Sequence, residues 1–159
     1  MSKLLELLRQ NARLSLEELA AETSSTPEEV AAEIADLEKE GVIRGYQTMV
    51  DPAQLSSRAV TAFIEVRLTP ERGGGFDRLA RRIARFEQVK SCYLTSGGFD
   101  LLVLVEGEDL MGVANFVAEQ LSPLEGVVSC ATIFRLKSYK ENGFFYGGEE
   151  NPERLPVSP

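Results

Sequence analysis

The chain has no histidine, no tryptophan and only two cysteines. Without histidine it lacks the commonest general base near neutral pH and the commonest zinc ligand, so hydrolytic and metal-dependent chemistry are not expected and no cofactor or metal is called for. Cys92 and Cys130 are too few and too far apart in sequence for a disulfide framework. Both lie in apolar strand patterns, where a buried thiol packs as a small hydrophobe. No stretch reaches the roughly 20 apolar residues of a membrane-spanning helix. The start MSKLLELLRQ carries charge at Lys3, Glu6 and Arg9. Neither a membrane span nor a secretory signal is therefore expected, and the expected location is the cytoplasm.

What is present describes a globular protein. The 159 residues are 43% hydrophobic and 26% charged, enough for one ordinary domain or two small ones. The net charge of -8 argues against nucleic acid when taken as a sum, because Lys and Arg supply most affinity for phosphate. Its distribution is uneven. Residues 1–43 hold ten acidic side chains against four basic ones, whereas residues 67–90 hold seven basic against three acidic.

The punctuation of residues 1–43 predicts three helices. Ser2 precedes a helix with Leu4, Leu5, Leu7 and Leu8 on its apolar face, ending near Asn11. Ser15-Leu16-Glu17-Glu18 is a capping box opening a second helix that stops near Glu22. Thr26-Pro27-Glu28-Glu29 is another, with proline at the first helical position, and its helix sets Val30, Ile34 and Leu37 inward before Gly41. The last two helices, joined by a turn at residues 23–25 with small Ala20 where they pack, form a helix-turn-helix. A plain supporting three-helix bundle would share this spacing.

From Val42 the period changes. "VIRGYQTMVD" is a strand candidate ended by Pro52, and "AQLSSR" a polar connection, so residues 44–58 form a linker strand and connection. Residues 59–138 then read strand, helix, strand, strand, helix, strand. The segments are "TAFIEVRL", "FDRLARRIARF" after the glycines Gly73 to Gly75, "VKSCYLTS", "LLVLVEG", "DLMGVANFVAEQL" and "GVVSCATIFRLKS". The first helix points Phe76, Leu79, Ile83 and Phe86 inward and Arg78, Arg81, Arg82 and Arg85 outward; the second points Leu110, Val113, Val117 and Leu121 inward. This order is the split βαβ, ferredoxin-like arrangement, so the fold class is α+β: an N-terminal winged helix-turn-helix followed by a ferredoxin-like βαββαβ domain. "LLVLV" is apolar on both faces while the helices cover one, which predicts a dimer through the other. Residues 139–159 read as a tail, disordered after Gly147, with Phe144, Phe145 and Tyr146 docking on the body or on a partner.

A helix-turn-helix followed by "LEKEGVIRGYQTMVDPAQL", "VKSCYLTSGGFDLLVLVEG" and "LEGVVSCATIFRLK" resembles the leucine-responsive and asparagine-regulator (Lrp/AsnC) family of transcription factors over roughly residues 3–140. The resemblance implies a regulator that dimerises through its C-terminal domain and extends to octameric discs. It also implies double-stranded DNA read by paired N-terminal domains, and a small effector, usually an amino acid, bound near the hairpin turn. Carried over by position, the DNA-binding residues are Thr26, Glu28, Glu29, Ala32, Glu33 and Arg44, and the effector-binding residues are Ser96, Gly97, Gly98, Phe99 and Asp100.

The effector loop also makes sense from its chemistry. Gly97 and Gly98 leave backbone N–H groups open to a carboxylate, and Asp100 offers a counter-charge to an ammonium group, a pairing suited to an α-amino acid. The plainer reading is that the glycines make the turn and Asp100 caps it. One departure stands out. The family commonly has V-x-x-R-I in the third helix, and here "VAAEI" puts Glu33 at the arginine position. Three readings follow. The first is a DNA-binding regulator drawing affinity from Arg13, Lys39, Arg44 and backbone N–H groups. The second is an effector-binding oligomeric module with weak or no DNA binding, whose acidic helix docks on the Arg78, Arg81, Arg82 and Arg85 stripe. The third is an enzyme resembling siroheme decarboxylases, which carry histidines in their second-half strands; this chain has none, so no enzyme is expected.

Overall fold

The computed structural model describes residues 2–55, 59–70 and 75–146. It divides into two compact units, Met1–Met49 and Val50–Pro159.

In the first unit, helices α1 (Lys3–Gln10), α2 (Leu16–Thr23) and α3 (Pro27–Lys39) each begin on a hydroxyl side chain. Ser15 and Glu18, and likewise Thr26 and Glu29, form reciprocal capping boxes, satisfying donors that a helix start would leave exposed. The turn between α2 and α3 holds Ser24 in the left-handed region (φ 57°), and the Ser25 N–H closes back on the Ala20 carbonyl at 3.0 Å. At the end of α3, Gly41 adopts φ 72°, and the N–H groups of Gly41 and Val42 bond the carbonyls of Glu38 and Leu37. That is the glycine-terminated stop expected from the sequence. The core is Leu4, Leu19, Ala20 and Val30, flanked by Leu7, Leu8, Leu14, Ile34 and Leu37.

The strand expected over residues 42–51 does not form. A strand needs a neighbouring strand for its backbone hydrogen bonds, and this segment belongs to neither sheet of the described residues. Instead, Tyr46 Oη donates to Glu38 Oε1 at 2.9 Å and ties the chain back to α3. Asp51 then caps a 3-10 turn at Pro52–Gln54. The end of the polar connection, residues 56–58, and Gly73 and Gly74 of the glycine run lie outside the described residues.

The second unit is built on a four-stranded antiparallel sheet of β1 (Val60–Leu68), β2 (Val89–Leu94), β3 (Leu101–Gly107) and β4 (Val127–Phe134), in the order β2-β3-β1-β4. Helices α4 (Asp77–Ile83) and α5 (Leu110–Phe116) complete the ferredoxin-like arrangement. Ala62, Ile64 and Val66 of β1 and Leu101, Val103 and Val105 of β3 are fully buried and form one core with Leu79, Ile83, Val113, Phe116 and Leu121. Each such aliphatic side chain contributes about 1.5–3 kcal/mol by leaving water. The alternate residues face the other way. Phe63, Leu102 and Leu104 are half-buried there, and Tyr93 and Ile133 are exposed. Apolar on both faces, β3 thus has only one face covered by the helices of the described residues.

Both helices are shorter than their apolar patterns. α5 begins at the Asp109 cap and gives way after Phe116 to a π-helical turn, Val117–Leu121, in which the Ser122 N–H bonds the Val117 carbonyl at 2.8 Å. The extra residue in that turn shifts the inward stripe. Phe116 is buried and stacks edge-on with Phe86, Val117 is half-buried, and Leu110, expected inward, is exposed in the first turn. The tail also folds further than expected. β5 (Lys140–Glu141) and β6 (Phe144–Phe145) pair through the two-residue turn Asn142-Gly143, both at positive φ. The segment expected to be disordered, after Gly147, lies outside the described residues.

Candidate DNA-binding and ligand-binding sites

Helix α3 spans 13 residues, about 20 Å at 1.5 Å per residue. With Val30, Ile34 and Leu37 inward, the 3.6-residue period places Glu28, Ala32, Ala35 and Lys39 on the opposite side, all exposed. That outer strip is small in its middle and carries one charge of each sign. Of the helix's other four acids, three have structural partners and Asp36 is exposed beside the strip. Glu29 accepts from the Thr26 N–H at 2.9 Å, Glu38 from the Tyr46 hydroxyl, and Glu33 from the Ser2 hydroxyl at 3.0 Å.

The bond between Ser2 and Glu33 accounts for the residue that looked most out of place. Ser2 is the N-cap of α1, so the Glu33 carboxylate sits beside the electropositive start of that helix and links α1 to α3. An arginine at position 33 would meet that same end with the wrong sign. Arg44 lies at the far end of α3, where its guanidinium covers Gly41; a Cβ built on Gly41 would approach it to 3.0 Å. Of the six sequence-derived DNA-binding residues, then, Glu28 and Ala32 are on the outer strip. Thr26 and Glu29 build the helix start, Glu33 braces α1, and Arg44 covers the helix end.

The Ser96 to Asp100 loop joins β2 to β3. The Thr95 N–H bonds the Asp100 carbonyl at 2.8 Å, and the Thr95 hydroxyl donates to the Phe99 carbonyl at 3.1 Å. Gly97 lies at φ 140°, a conformation that favours glycine. Gly98 does not share that constraint: its φ is outside the positive range, and a Cβ there would meet nothing within 4 Å. Asp100 is half-buried, and its Oδ2 accepts from the Leu68 N–H at 2.7 Å, fixing the loop to the end of β1. The Asp100 carboxylate thus holds a neighbouring strand, whereas the turn that it was expected to cap is closed by Thr95.

Sequence reading missed a second polar contact. Half-buried Arg135 donates to the hydroxyl of buried Thr61 at 2.7 Å and pairs with Glu141 at 3.5 Å, which fastens the β5-β6 hairpin beside the open sheet face. A hollow of about 590 Å³ lies there, bounded by Phe63, Tyr93, Leu102, Leu104, Arg135 and Tyr139. Another, of about 680 Å³, is lined by Glu87, Lys90, Glu106 and Asp109. Neither is bordered by residues 96–100. Burial pushes both thiols above their ordinary range, at Cys130 partly offset by a hydrogen bond with Ser122, so they remain protonated small hydrophobes. Among the described residues there is no cluster suited to a metal ion and no helix long and apolar enough to cross a membrane.

A helix-turn-helix unit followed by a βαββαβ unit with an open glycine loop defines a two-part regulator, one part for DNA and the other for a ligand. Comparison with known proteins agrees with that class. Residues 2–44 match a winged helix-turn-helix DNA-binding model, and residues 61–144 match the Lrp/AsnC ligand binding domain. The chain is 43% identical to the uncharacterized HTH-type transcriptional regulator YugG of Bacillus subtilis, covering 99% of this chain and 96% of that one. It is 31% identical to the proline dehydrogenase transcriptional activator of Rhodobacter capsulatus, over 87% and 90% of the two chains. A transcriptional regulator from Neisseria meningitidis, solved as a complex with L-Met, superposes with a TM-score of 0.67 at 26% identity, over 87% and 89%. The chain belongs to the Lrp/AsnC family of transcriptional regulators. Both matched models describe binding domains, one for DNA and one for a ligand.

The Ser2 and Glu33 contact is directly testable. Ser2→Ala and Glu33→Ala should each speed hydrogen exchange at the first backbone amides of α1, with the double variant no faster than the worse single one. Independent, additive effects would show that the two side chains do not act together.

Proposed function

We propose that the protein is a homo-oligomeric transcriptional regulator acting in the cytoplasm, which binds double-stranded DNA through α3 and responds to an amino acid at the Ser96 to Asp100 loop. The observation that carries the DNA half is the strip of Glu28, Ala32, Ala35 and Lys39. Its small centre lets the helix approach a groove closely, and the acids that would repel phosphate are largely turned aside and bonded within the unit. Arg44 at the end of α3 is placed to meet a backbone phosphate, which positions the helix without reading sequence.

The ligand half rests on Gly98. The fold itself does not require glycine there, so the missing side chain makes room for something that approaches the backbone. Backbone N–H groups of the loop suit a carboxylate, and Asp100 suits an ammonium group. The L-Met in the Neisseria meningitidis relative and the proline link of the Rhodobacter capsulatus activator support an amino acid as the ligand class. The hollows of about 590 and 680 Å³ are lined by other residues, and in this reading a second copy of the chain supplies the other wall of the pocket. Ligand binding then alters DNA affinity by favouring one arrangement of copies over another.

The excess of acid in residues 1–43 supports a second reading, an effector-binding oligomer with weak or no DNA binding. Gel shift of the DNA upstream of its own coding sequence, at low salt and with and without amino acids, separates the two. Ala32→Glu should weaken that complex by about tenfold, equivalent to ~1.4 kcal/mol, with the unfolding curve unchanged. Equal affinity would place α3 away from the groove.

Asp100→Asn separates the two roles of that side chain. The amide oxygen can still accept from the Leu68 N–H, so the fold should survive while the counter-charge is lost. Titration calorimetry with L-methionine and a panel of other L-amino acids should show at least about tenfold weaker binding for the variant. Unchanged binding would remove Asp100 from the ligand site.

A further inference from the structure

The arginines of α4 remain without a role in this account. Arg78, Arg81, Arg82 and Arg85 are all exposed. With Leu79 and Ile83 buried, the helical period gathers Arg78, Arg81 and Arg82 into a single sector about 100° wide, and Arg85 follows in the turn after the helix. A cation in the last turn complements the carbonyl end of a helix, which accounts for Arg81 and Arg82 being favourable where they stand. It gives no reason for Arg78 or Arg85. The ion pair of Arg81 with Asp77 at 3.9 Å joins side chains 79% and 74% exposed, so it neutralises little.

We propose that this arginine face is a second, sequence-independent surface for the DNA backbone. The inference rests on the DNA-binding reading above and extends it. The charge balance carries it: residues 1–43 hold four basic side chains against ten acidic ones, so the helix-turn-helix has few cations to neutralise phosphates. Residues 67–90 hold seven, and α4 presents arginines in one direction. Guanidinium groups suit phosphate by geometry as well as charge. The acidic face of α3 in another copy is a poorer fit, because Glu29, Glu33 and Glu38 already accept hydrogen bonds within their own unit.

The test compares the full chain with the triple variants Arg81→Gln/Arg82→Gln/Arg85→Gln and Arg81→Lys/Arg82→Lys/Arg85→Lys. Affinity is measured from low to moderate salt on the upstream fragment and on a random duplex of the same length. The glutamine variant should bind both DNAs more weakly by the same factor, with a salt slope shallower by about one for each arginine that meets a phosphate. The lysine variant should keep the slope, which shows that charge and not folding was lost. Glutamine-variant affinity and slope equal to those of the unmodified chain would overturn the inference while leaving the α3 reading intact. A changed assembly mass in light scattering, with an unchanged slope, would overturn it in favour of contact between copies. Failure of the unmodified chain to bind either DNA would refute the DNA-binding reading itself, and this inference with it.

Discussion

A four-stranded sheet has two faces, and two helices on one side cover only one of them. In this chain that constraint is sharp because β3 is apolar throughout: Leu101, Val103 and Val105 are buried under α4 and α5, while Leu102 and Leu104 look out on the other side beside Phe63, Tyr93 and Ile133. Leaving such a surface in water costs free energy that a second copy of the same sheet would recover. The constraint reaches function. In the proposed function, a second subunit completes the ligand site at the Ser96 to Asp100 loop, and an even-numbered assembly carries paired copies of α3, as two half-sites on DNA require.

Charge is the second constraint. A regulator with net charge -8 must meet a polyanion. Much of the acid in the helix-turn-helix is there for the fold. Glu18 and Glu29 close capping boxes, Glu38 holds Tyr46, and Glu33 braces the start of α1. What remains on the outer strip of α3 is nearly neutral and small in its middle. The unit is acidic in composition but only weakly so in the direction that counts for a groove, and the cations it lacks are gathered on α4.

Much of this was legible in the residues. The helix starts and the Gly41 stop follow from hydroxyl and glycine chemistry that acts over three or four positions, and β3 falls on the expected residues, 101–107. Several of the errors depend on partners distant in sequence. The segment 42–51 has a strand's composition but no described neighbour to pair with. Val117 fits an inward stripe until the π-helical turn sets Phe116 and Leu121, five positions apart, on the buried side. At the site, the local text gave the loop but not the hydrogen bond from the Leu68 N–H to Asp100, and it marked Glu33 as anomalous because Ser2 lies 31 positions away. The Asn142-Gly143 turn was a local signal that could have been read: Asn-Gly between short flanking segments is a strong hairpin mark.

The dependence of ligand site and paired reading helices on the open sheet face makes the mass of the protein in solution the most direct test. Sedimentation equilibrium of the full chain at micromolar concentration should give an even multiple of the 17.5 kDa chain mass, two or more copies, with and without amino acids. A species of 17.5 kDa, stable and folded across that range, would show that the exposed face of β3 needs no partner and would contradict the account.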